Sequence, residues 1–422
     1  MSLAALVCCL GLFDVPADCP LQSGDTVVFA GDSITQAGDY VTYVEAYLLT
    51  QRPDLKVRIV NAGLSSETAS GTSEPDHNPP RPCIHDRFAR DVAAFKPNVV
   101  VACYGMNDGN YHPFEPLRFE KYQKGIRRLV ERVFAETPAR KLVLLTPPPF
   151  DPYRRNASDP DAKHFGYRFP AVNYDETLTK YSEWLMTLAS EKVQVSDVHG
   201  ASNRFLAAMR MKKASFHLAG DAVHPGPTGH WLIAQALLRT WKLVPQPATI
   251  EWKLPKEAKL AESATWGTPP LGPAMGFDHE TSPAAREFES ERGDILGRTL
   301  KITGLAPGRY ELHGSGETGL SGAAVKGSAG EFAKGVPVQS LFLDANDGGI
   351  EMLLELVQYR RAITANRLEK LKKASFKDLG ACVAAVTEAE NSPKNLERRK
   401  RIESAAKPKP RALQLLKASE AR

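Results

Sequence analysis

The chain has 422 residues and a formal net charge of +5, which is unevenly distributed. Residues 394–422 hold ten Lys and Arg against three Asp and Glu, so the first 393 residues carry a net charge of −2. A nearly neutral body argues against a nucleic-acid-binding surface on the main fold. No apolar run approaches the roughly 18 residues that a membrane-spanning helix requires, so we expect no membrane span.

Residues 1–17 form a candidate signal peptide. The segment from Met1 to Phe13 is apolar and has about the length of a signal-peptide core, and Ala17 ends a small-x-small pattern that is typical of a cleavage site. No Lys or Arg precedes the apolar run, and the alternative is a frayed or buried N-terminal segment. We favour export to the periplasm or the extracellular space.

The cysteines beyond this segment give no sign of a metal site. Cys19, Cys83, Cys103 and Cys382 lack the spacing of metal ligands and are too few for a disulfide scaffold. We therefore expect neither a metal nor a cofactor. A bridge between Cys19 and Cys83 is left open.

Between residues 18 and 245, short apolar runs alternate with helical patterns. The runs are rich in β-branched residues and continuous, which is typical of strands buried on both faces of a parallel sheet. The predicted strands are Thr26–Ala30, Val57–Asn61, Asn98–Cys103, Lys141–Thr146 and Val193–Ser196, and the predicted helices are Tyr40–Thr50, Ile84–Phe95, Leu117–Thr137, Tyr174–Glu191 and Thr228–Trp241. This order predicts an α/β domain with three layers, α/β/α, around a five-stranded parallel sheet.

The remainder of the chain changes in character. Residues 246–335 are predicted to form a small β-rich appendage, in which Lys301–Leu305 and Arg309–His313 flank an Ala-Pro-Gly turn and predict a β-hairpin. Residues 336–393 have a helical pattern. Residues 394–422 form a basic tail that is rich in Lys, Arg and Pro and is predicted to be disordered.

Chemically useful residues follow three of the predicted strands. Ser33 follows the first strand in the motif Gly-Asp-Ser-Ile-Thr, Gly63 follows the second, and Asn107 follows the third in Gly-Met-Asn-Asp. Ligands of such sheets bind beyond the carboxyl ends of the strands, where these residues would meet. Each has a plainer alternative: Ser33 as a helix cap, and the other two as turn residues.

A fourth motif, Asp221-Ala222-Val223-His224, precedes the last predicted helix. Its spacing allows Asp221 to hold the imidazole of His224 in one tautomer, which leaves the other ring nitrogen free to take a proton from Ser33. An exposed Asp–His pair that caps the helix is the alternative. Four such features in this order predict a serine hydrolase.

Together these motifs resemble the SGNH superfamily, also called GDSL-type esterases and lipases, over residues 18–245. The resemblance implies a flavodoxin-like SGNH hydrolase fold, with Ser33, His224 and Asp221 as the catalytic residues. It also implies an oxyanion hole formed by the backbone N–H groups of Ser33 and Gly63 and the side-chain amide of Asn107. The surrounding sequence is similar to a bacterial exported branch with carbohydrate-esterase-like members.

We therefore expect a serine esterase that works through an acyl-enzyme on a small acyl ester, with acetyl on a carbohydrate as the leading candidate. Its partner is then a small-molecule or polysaccharide ester, with no nucleic acid. A lysophospholipase or thioesterase is the alternative within the class, and a non-catalytic carbohydrate-binding protein is the alternative outside it. Polar loops at Thr72–Asp86 and Asp151–Ala171 favour a sugar. Substrate-binding residues and oligomeric state cannot be read from the sequence.

Overall fold

A computed structural model of the chain describes residues 19–152, 170–243, 249–253, 263–268, 299–316, 319–337, 349–407 and 409–417. The candidate signal peptide and most of the predicted polar loop at 151–171 lie outside the described residues.

A five-stranded parallel sheet with strand order β2-β1-β3-β4-β5 forms the centre of the fold. Its strands are β1 (Thr26–Gly31), β2 (Arg58–Asn61), β3 (Val99–Cys103), β4 (Lys141–Leu145) and β5 (Val193–Ser196). Every residue of β3 is buried, as its continuous apolar sequence predicts for a strand covered on both faces. The predicted fold class is therefore confirmed.

Helices flank this sheet and bury its faces. They are α1 (Ser33–Ala37), α2 (Asp39–Gln51), α3 (Ile84–Asp91), α4 (Pro116–Glu136), α5 (Tyr174–Met186), α6 (Val198–Lys212) and α7 (Pro227–Thr240), with a 3₁₀ turn at Ala93–Phe95. The sequence analysis missed α6, because polar His199 and Ser202 belong to its buried face and interrupt the apolar period.

The described part of the appendage contains strands of two small sheets, and the predicted hairpin does not form. Its elements are β6 (Thr249–Lys253), β7 (Ser263–Thr268), β8 (Thr299–Thr303), β9 (Arg309–Gly316), β10 (Gly319–Ser328), α8 (Ala329–Lys334) and β11 (Val336–Pro337). The predicted hairpin partners β8 and β9 belong to different sheets, since β8 pairs with β6 and β11 whereas β9 pairs with β10. A turn that contains Gly304 and Gly308 joins the two strands, but a turn does not determine which strand each side pairs with.

The C-terminal part of the chain is ordered well beyond residue 393. It contains α9 (Gly349–Leu371), α10 (Ala381–Glu390), α11 (Pro393–Ala405) and β12 (Lys409–Lys417), and β12 lies between β9 and β7 in a four-stranded sheet. The prediction of disorder for residues 394–422 is therefore wrong for α11 and β12. The apolar residues Ile402, Ala406 and Leu415 are buried, although the many Lys and Arg around them hide this pattern in the composition.

Candidate active site

Ser33 lies where the first strand of the sheet turns into a helix. It is the first residue of α1, directly after β1 and Asp32. Gly31 permits this turn, because a Cβ there would lie 2.1 Å from Thr35 Oγ1 and 2.8 Å from the carbonyl oxygen of Cys103. The strand order reverses between β1 and β3, and open α/β sheets bind ligands at that point. Ser33 is half-buried at this edge.

His224 reaches Ser33 across 191 residues of sequence. Its Nε2 lies 2.8 Å from Ser33 Oγ, and its Nδ1 lies 2.7 Å from Asp221 Oδ2. The other carboxylate oxygen of Asp221 accepts hydrogen bonds from the backbone N–H groups of Val223 and His224, at 3.0 and 2.8 Å. The carboxylate thus favours the tautomer with the proton on Nδ1, which leaves Nε2 as an acceptor facing the hydroxyl.

Asp151, whose carboxylate is buried, contacts the loop that carries His224. Asp151 is 2% exposed, and it accepts a hydrogen bond of 2.8 Å from Arg210 Nη2. Its backbone N–H donates to the carbonyl of Ala222 at 2.9 Å. Ala222 has a positive φ of 72°, an uncommon conformation for a non-glycine residue, so this bond helps to hold the turn between Asp221 and His224.

Asn107 is buried after β3 with its side-chain amide in a defined orientation. Its Oδ1 accepts hydrogen bonds from Arg81 Nη1 at 2.9 Å and from Tyr111 Oη at 3.0 Å. Its Nδ2 donates to the carbonyl of Glu67 at 3.2 Å. Because a guanidinium can only donate, the atom that Arg81 contacts must be the oxygen. The amide nitrogen is therefore the part of Asn107 that can donate to a ligand.

Arg81 is itself held by a buried ion pair with Glu74. Their side chains are 1% and 0% exposed, and Arg81 Nε lies 2.5 Å from Glu74 Oε2. Asn110 Nδ2 donates a further hydrogen bond of 3.3 Å to this carboxylate. Both charged residues belong to the polar loop Thr72–Asp86, whose polarity the sequence analysis took as favouring a sugar substrate. The structure instead uses the two side chains to fix Asn107.

Gly63 follows β2 and packs directly on α1. A Cβ at Gly63 would lie 2.3 Å from the backbone nitrogen of Gln36 and 2.6 Å from the carbonyl carbon of Thr35, so the site requires glycine. The Gly63 N–H donates to Asn61 Oδ1 at 2.9 Å, and Asn61 Nδ2 donates to the Thr35 carbonyl at 2.6 Å. Gly63 thus lies against the helix that begins with Ser33, with its N–H engaged by Asn61.

Two buried carboxyl groups adjoin the serine and the asparagine. Asp32 caps α1 by accepting a 3.0 Å hydrogen bond from the N–H of Ile34, and burial raises its pKa to about 7. Asp108 accepts hydrogen bonds from the N–H groups of Ala69 and Ser70 at 2.9 and 2.8 Å, and burial raises its pKa to about 6. Both groups therefore titrate closer to neutrality than ordinary aspartates do.

The described ranges contain no group of three or more His, Cys, Asp or Glu side chains with the geometry of a metal site. Cys19 and Cys83 are free thiols. In the same ranges, no helix has both the length and the apolar character needed to cross a bilayer.

The sequence model of the GDSL-like lipase/acylhydrolase family matches residues 29–232. These residues belong to that family. The matched range contains Ser33, Gly63, Asn107, Asp221 and His224, so the predicted superfamily is confirmed. We call residues 29–232 the GDSL domain. Its presence identifies the chain as a serine hydrolase of ester bonds.

Other proteins are similar to this chain over different lengths. The acetylxylan esterase of Geobacillus stearothermophilus is 27% identical over 204 residues, which are 47% of this chain and 78% of that protein. Its solved structure covers 53% of this chain and 96% of its own, with 26% identity and a TM-score of 0.39. A gut microbial diltiazem-metabolizing enzyme covers 94% of this chain and 98% of its own, with a TM-score of 0.65 and 19% identity. This last similarity shows that the fold is shared beyond the GDSL domain.

The sequence analysis missed the residues that support the GDSL motifs. Asp151 could have been considered, because it follows the fourth strand just as Ser33 and Asn107 follow the first and third. Arg81 and Arg210 gave no signal, since charged residues in a loop and in a helix are normally solvated.

Proposed function

We propose that the GDSL domain is a serine esterase in which Ser33 is the nucleophile, His224 the general base and Asp221 the acid that orients the base. The observation that carries this proposal is the continuous chain from Ser33 Oγ through both ring nitrogens of His224 to Asp221, with distances of 2.8 and 2.7 Å. A serine hydroxyl is a poor nucleophile unless a base removes its proton as the new bond forms. His224 supplies that base, and Asp221 holds the base in position.

The reaction would proceed in two halves. Ser33 Oγ attacks the ester carbonyl while His224 Nε2 takes the hydroxyl proton, and Asp221 stabilises the resulting imidazolium. The tetrahedral intermediate collapses to an acyl-enzyme as His224 returns the proton to the leaving alcohol. Water then attacks the acyl group by the same route, which releases the acid and restores Ser33.

The oxyanion would be bound by the backbone N–H groups of Ser33 and Gly63 and by Asn107 Nδ2. The orientation of the Asn107 amide supports this role, because Arg81 and Tyr111 occupy its oxygen. The Gly63 N–H would share its hydrogen between Asn61 Oδ1 and the oxyanion, since it donates to Asn61 in the structure. Such donors are most effective where the surrounding contacts hold them in place before the reaction.

For the substrate, we propose a small acyl group, with acetyl as the first choice, carried by a carbohydrate. The related acetylxylan esterase supports this choice. The side chains of His224 and Asp221 are 41% and 38% exposed, so a bulky alcohol can reach the nucleophile from solvent. Export of the chain stays a prediction from its N-terminal sequence.

The catalytic proposal is tested with an aryl acetate and the variant Ser33→Ala. We expect purified wild-type protein to hydrolyse the ester and the variant to lose at least about 10³-fold in kcat with unchanged thermal stability, because the nucleophile is gone. Ser404→Ala, at an exposed position of α11, is the control and should match wild type. Equal inactivity of folded wild type and Ser33→Ala would favour a binding protein instead.

The substrate proposal is tested by comparing kcat/KM for acetylated xylo-oligosaccharides, aryl esters of increasing chain length, a lysophospholipid and an acyl thioester. We expect acetyl esters to be preferred over longer chains, and the acetylated sugar to be deacetylated. A preference for long chains or for the lysophospholipid would replace the sugar ester with a lipid substrate while leaving the catalytic residues in place.

A further inference from the structure

Helix α9, which lies outside the matched family range, contacts the edge of the central sheet through two arginines. Arg360 and Arg367 are two helical turns apart and so share one face of α9. Arg360 Nη1 donates to the carbonyl of Ile59 at 2.8 Å, and Arg367 Nη2 donates to the carbonyl of Gly63. Strand β2 is at the edge of the sheet. The helix therefore supplies one donor to a carbonyl within this edge strand, at Ile59, and one to a carbonyl just after it, at Gly63.

The two arginines differ in how their charge is compensated. Arg360 is paired through two nitrogens with the carboxylate of Glu45. Arg367 is 1% exposed, and the residues that the structure describes offer it no carboxylate partner within ion-pair distance and no acceptor for its Nε. Within the described ranges, the hydrogen-bond acceptor of this buried guanidinium is the carbonyl of Gly63.

The charged neighbours of Arg367 do not neutralise it. They include Arg87, Asp91 and Glu67, and the two carboxylates already bind other guanidinium groups. Arg87 donates to both Glu67 and Asp91, and Arg90 donates to Asp91 as well. Among these five buried side chains, three guanidinium groups thus share two carboxylates, and the Arg367 guanidinium is the one that contacts Gly63.

An unpaired buried cation normally lowers the stability of a fold. We therefore expect Arg367 to have a role at this position that offsets its cost in stability. We propose that Arg367 is a positioning residue of the oxyanion hole: it fixes Gly63 from behind and adds positive potential where negative charge develops on the substrate. This inference rests on the proposed esterase function, because it assigns a role within that site.

The contacts around Gly63 support this role. The backbone of α1 at Gln36 blocks movement of Gly63 toward the serine helix, since even a Cβ would not fit between them. Arg367 holds the carbonyl of the same residue. A donor fixed in this way needs little rearrangement when the oxyanion forms, and a nearby positive charge in a site of low dielectric lowers the energy of that anion.

The test compares Arg367→Met and Arg367→Lys with Arg360→Met in the full-length chain. Arg360→Met is the matched control, because it removes an arginine from the same helix that also binds a carbonyl on this side of the sheet. We expect Arg367→Met to lower kcat for an aryl acetate about tenfold while KM changes less than about threefold. We expect Arg367→Lys to recover part of the loss, and Arg360→Met to lower the thermal midpoint without lowering kcat.

A second measurement uses a boronic acid, which forms a tetrahedral anionic adduct with an active-site serine. Its Kd should rise about tenfold in Arg367→Met and stay near the wild-type value in Arg360→Met, because only Arg367 acts on the anion. Wild-type kcat and boronic acid affinity in a folded Arg367→Met protein would overturn the inference, as would equal losses in both methionine variants. If wild type itself hydrolyses no ester, the proposed function fails first, and the two failures are thereby distinguished.

Discussion

The carboxyl group of Asp32 is the immediate neighbour of the nucleophile, and its burial is unusual for an acid. It is 1% exposed, and its hydrogen-bond partner is the N–H of Ile34 at the start of α1. The resulting pKa of about 7 lies above the usual value of 3.8. Ionisation of Asp32 therefore costs folding free energy: the cost is absent below about pH 4, grows as the pH rises toward 7, and is complete above it.

Replacement of Asp32 by Asn should make stability less sensitive to pH. The asparagine oxygen can still accept a hydrogen bond from the N–H of Ile34, but the side chain has no charge to bury. We therefore expect the free energy of unfolding of Asp32→Asn to exceed that of wild type by on the order of a few kcal/mol at pH 8 and by little at pH 4. Urea unfolding at the two pH values measures this difference. Asp76→Asn, at an exposed acid, is the control. An equal gain in unfolding free energy at pH 4 and pH 8 would contradict the raised pKa of Asp32.

The contact between the end of β2 and helix α1 positions two of the proposed oxyanion donors relative to each other. A Cβ added to Gly63 would lie 2.3 Å from the backbone nitrogen of Gln36. Any larger residue must push apart the loop after β2 and the helix that starts at Ser33. The precision of the site is thus set by the packing of two adjacent elements.

The variant Gly63→Ala tests this contact. We expect kcat to fall about 10²-fold and stability to fall by about 1–3 kcal/mol, because backbone atoms and not a flexible side chain occupy the space. Gly226→Ala is the matched control, since the nearest atom to a Cβ there is the Leu218 carbonyl oxygen at 3.6 Å. Steady-state kinetics and thermal unfolding give the two values. Near-wild-type behaviour of Gly63→Ala would mean that the loop after β2 adapts freely.

The C-terminal segment and the GDSL domain share one hydrophobic core. Met352, Leu353, Leu356 and Ile363 of α9 belong to the same buried cluster as the strands of the central sheet. Strand β12 then returns to the appendage, where it pairs with β7 on one side and β9 on the other. The segment therefore links the appendage to the body that carries the active site.

A chain that ends at Lys407 should lose the four-stranded sheet of the appendage. Without β12 the facing edges of β7 and β9 have no partner, and the buried side chain of Leu415 is lost. Limited proteolysis should cut the shortened chain within residues 299–337 much faster than the full chain. A chain that ends at Lys417 retains β12 and is the control. Equal resistance of the two chains would show that β12 is dispensable.

The sequence by itself determined the central sheet and the motif residues at its edge. The strands could be read because continuous β-branched runs are typical of strands covered on both faces, and this is a local property. Ser33, Gly63 and Asn107 could be located because each directly follows such a run, and Asp221 and His224 because their spacing is local as well. The helices around them were largely predictable for the same reason.

Only the tertiary structure decided which residues support that site and how the rest of the chain pairs. Arg81 and Arg367 look like ordinary surface charges until folding buries each against a residue far away in sequence. Strands β8 and β9 look like a hairpin because a turn joins them, yet β8 pairs with β6 and β11 while β9 pairs with β10 and the distant β12. The basic tail looks disordered, yet it folds because β7 and β9 offer it hydrogen bonds. Such pairings depend on contacts between remote segments, which local sequence patterns do not encode.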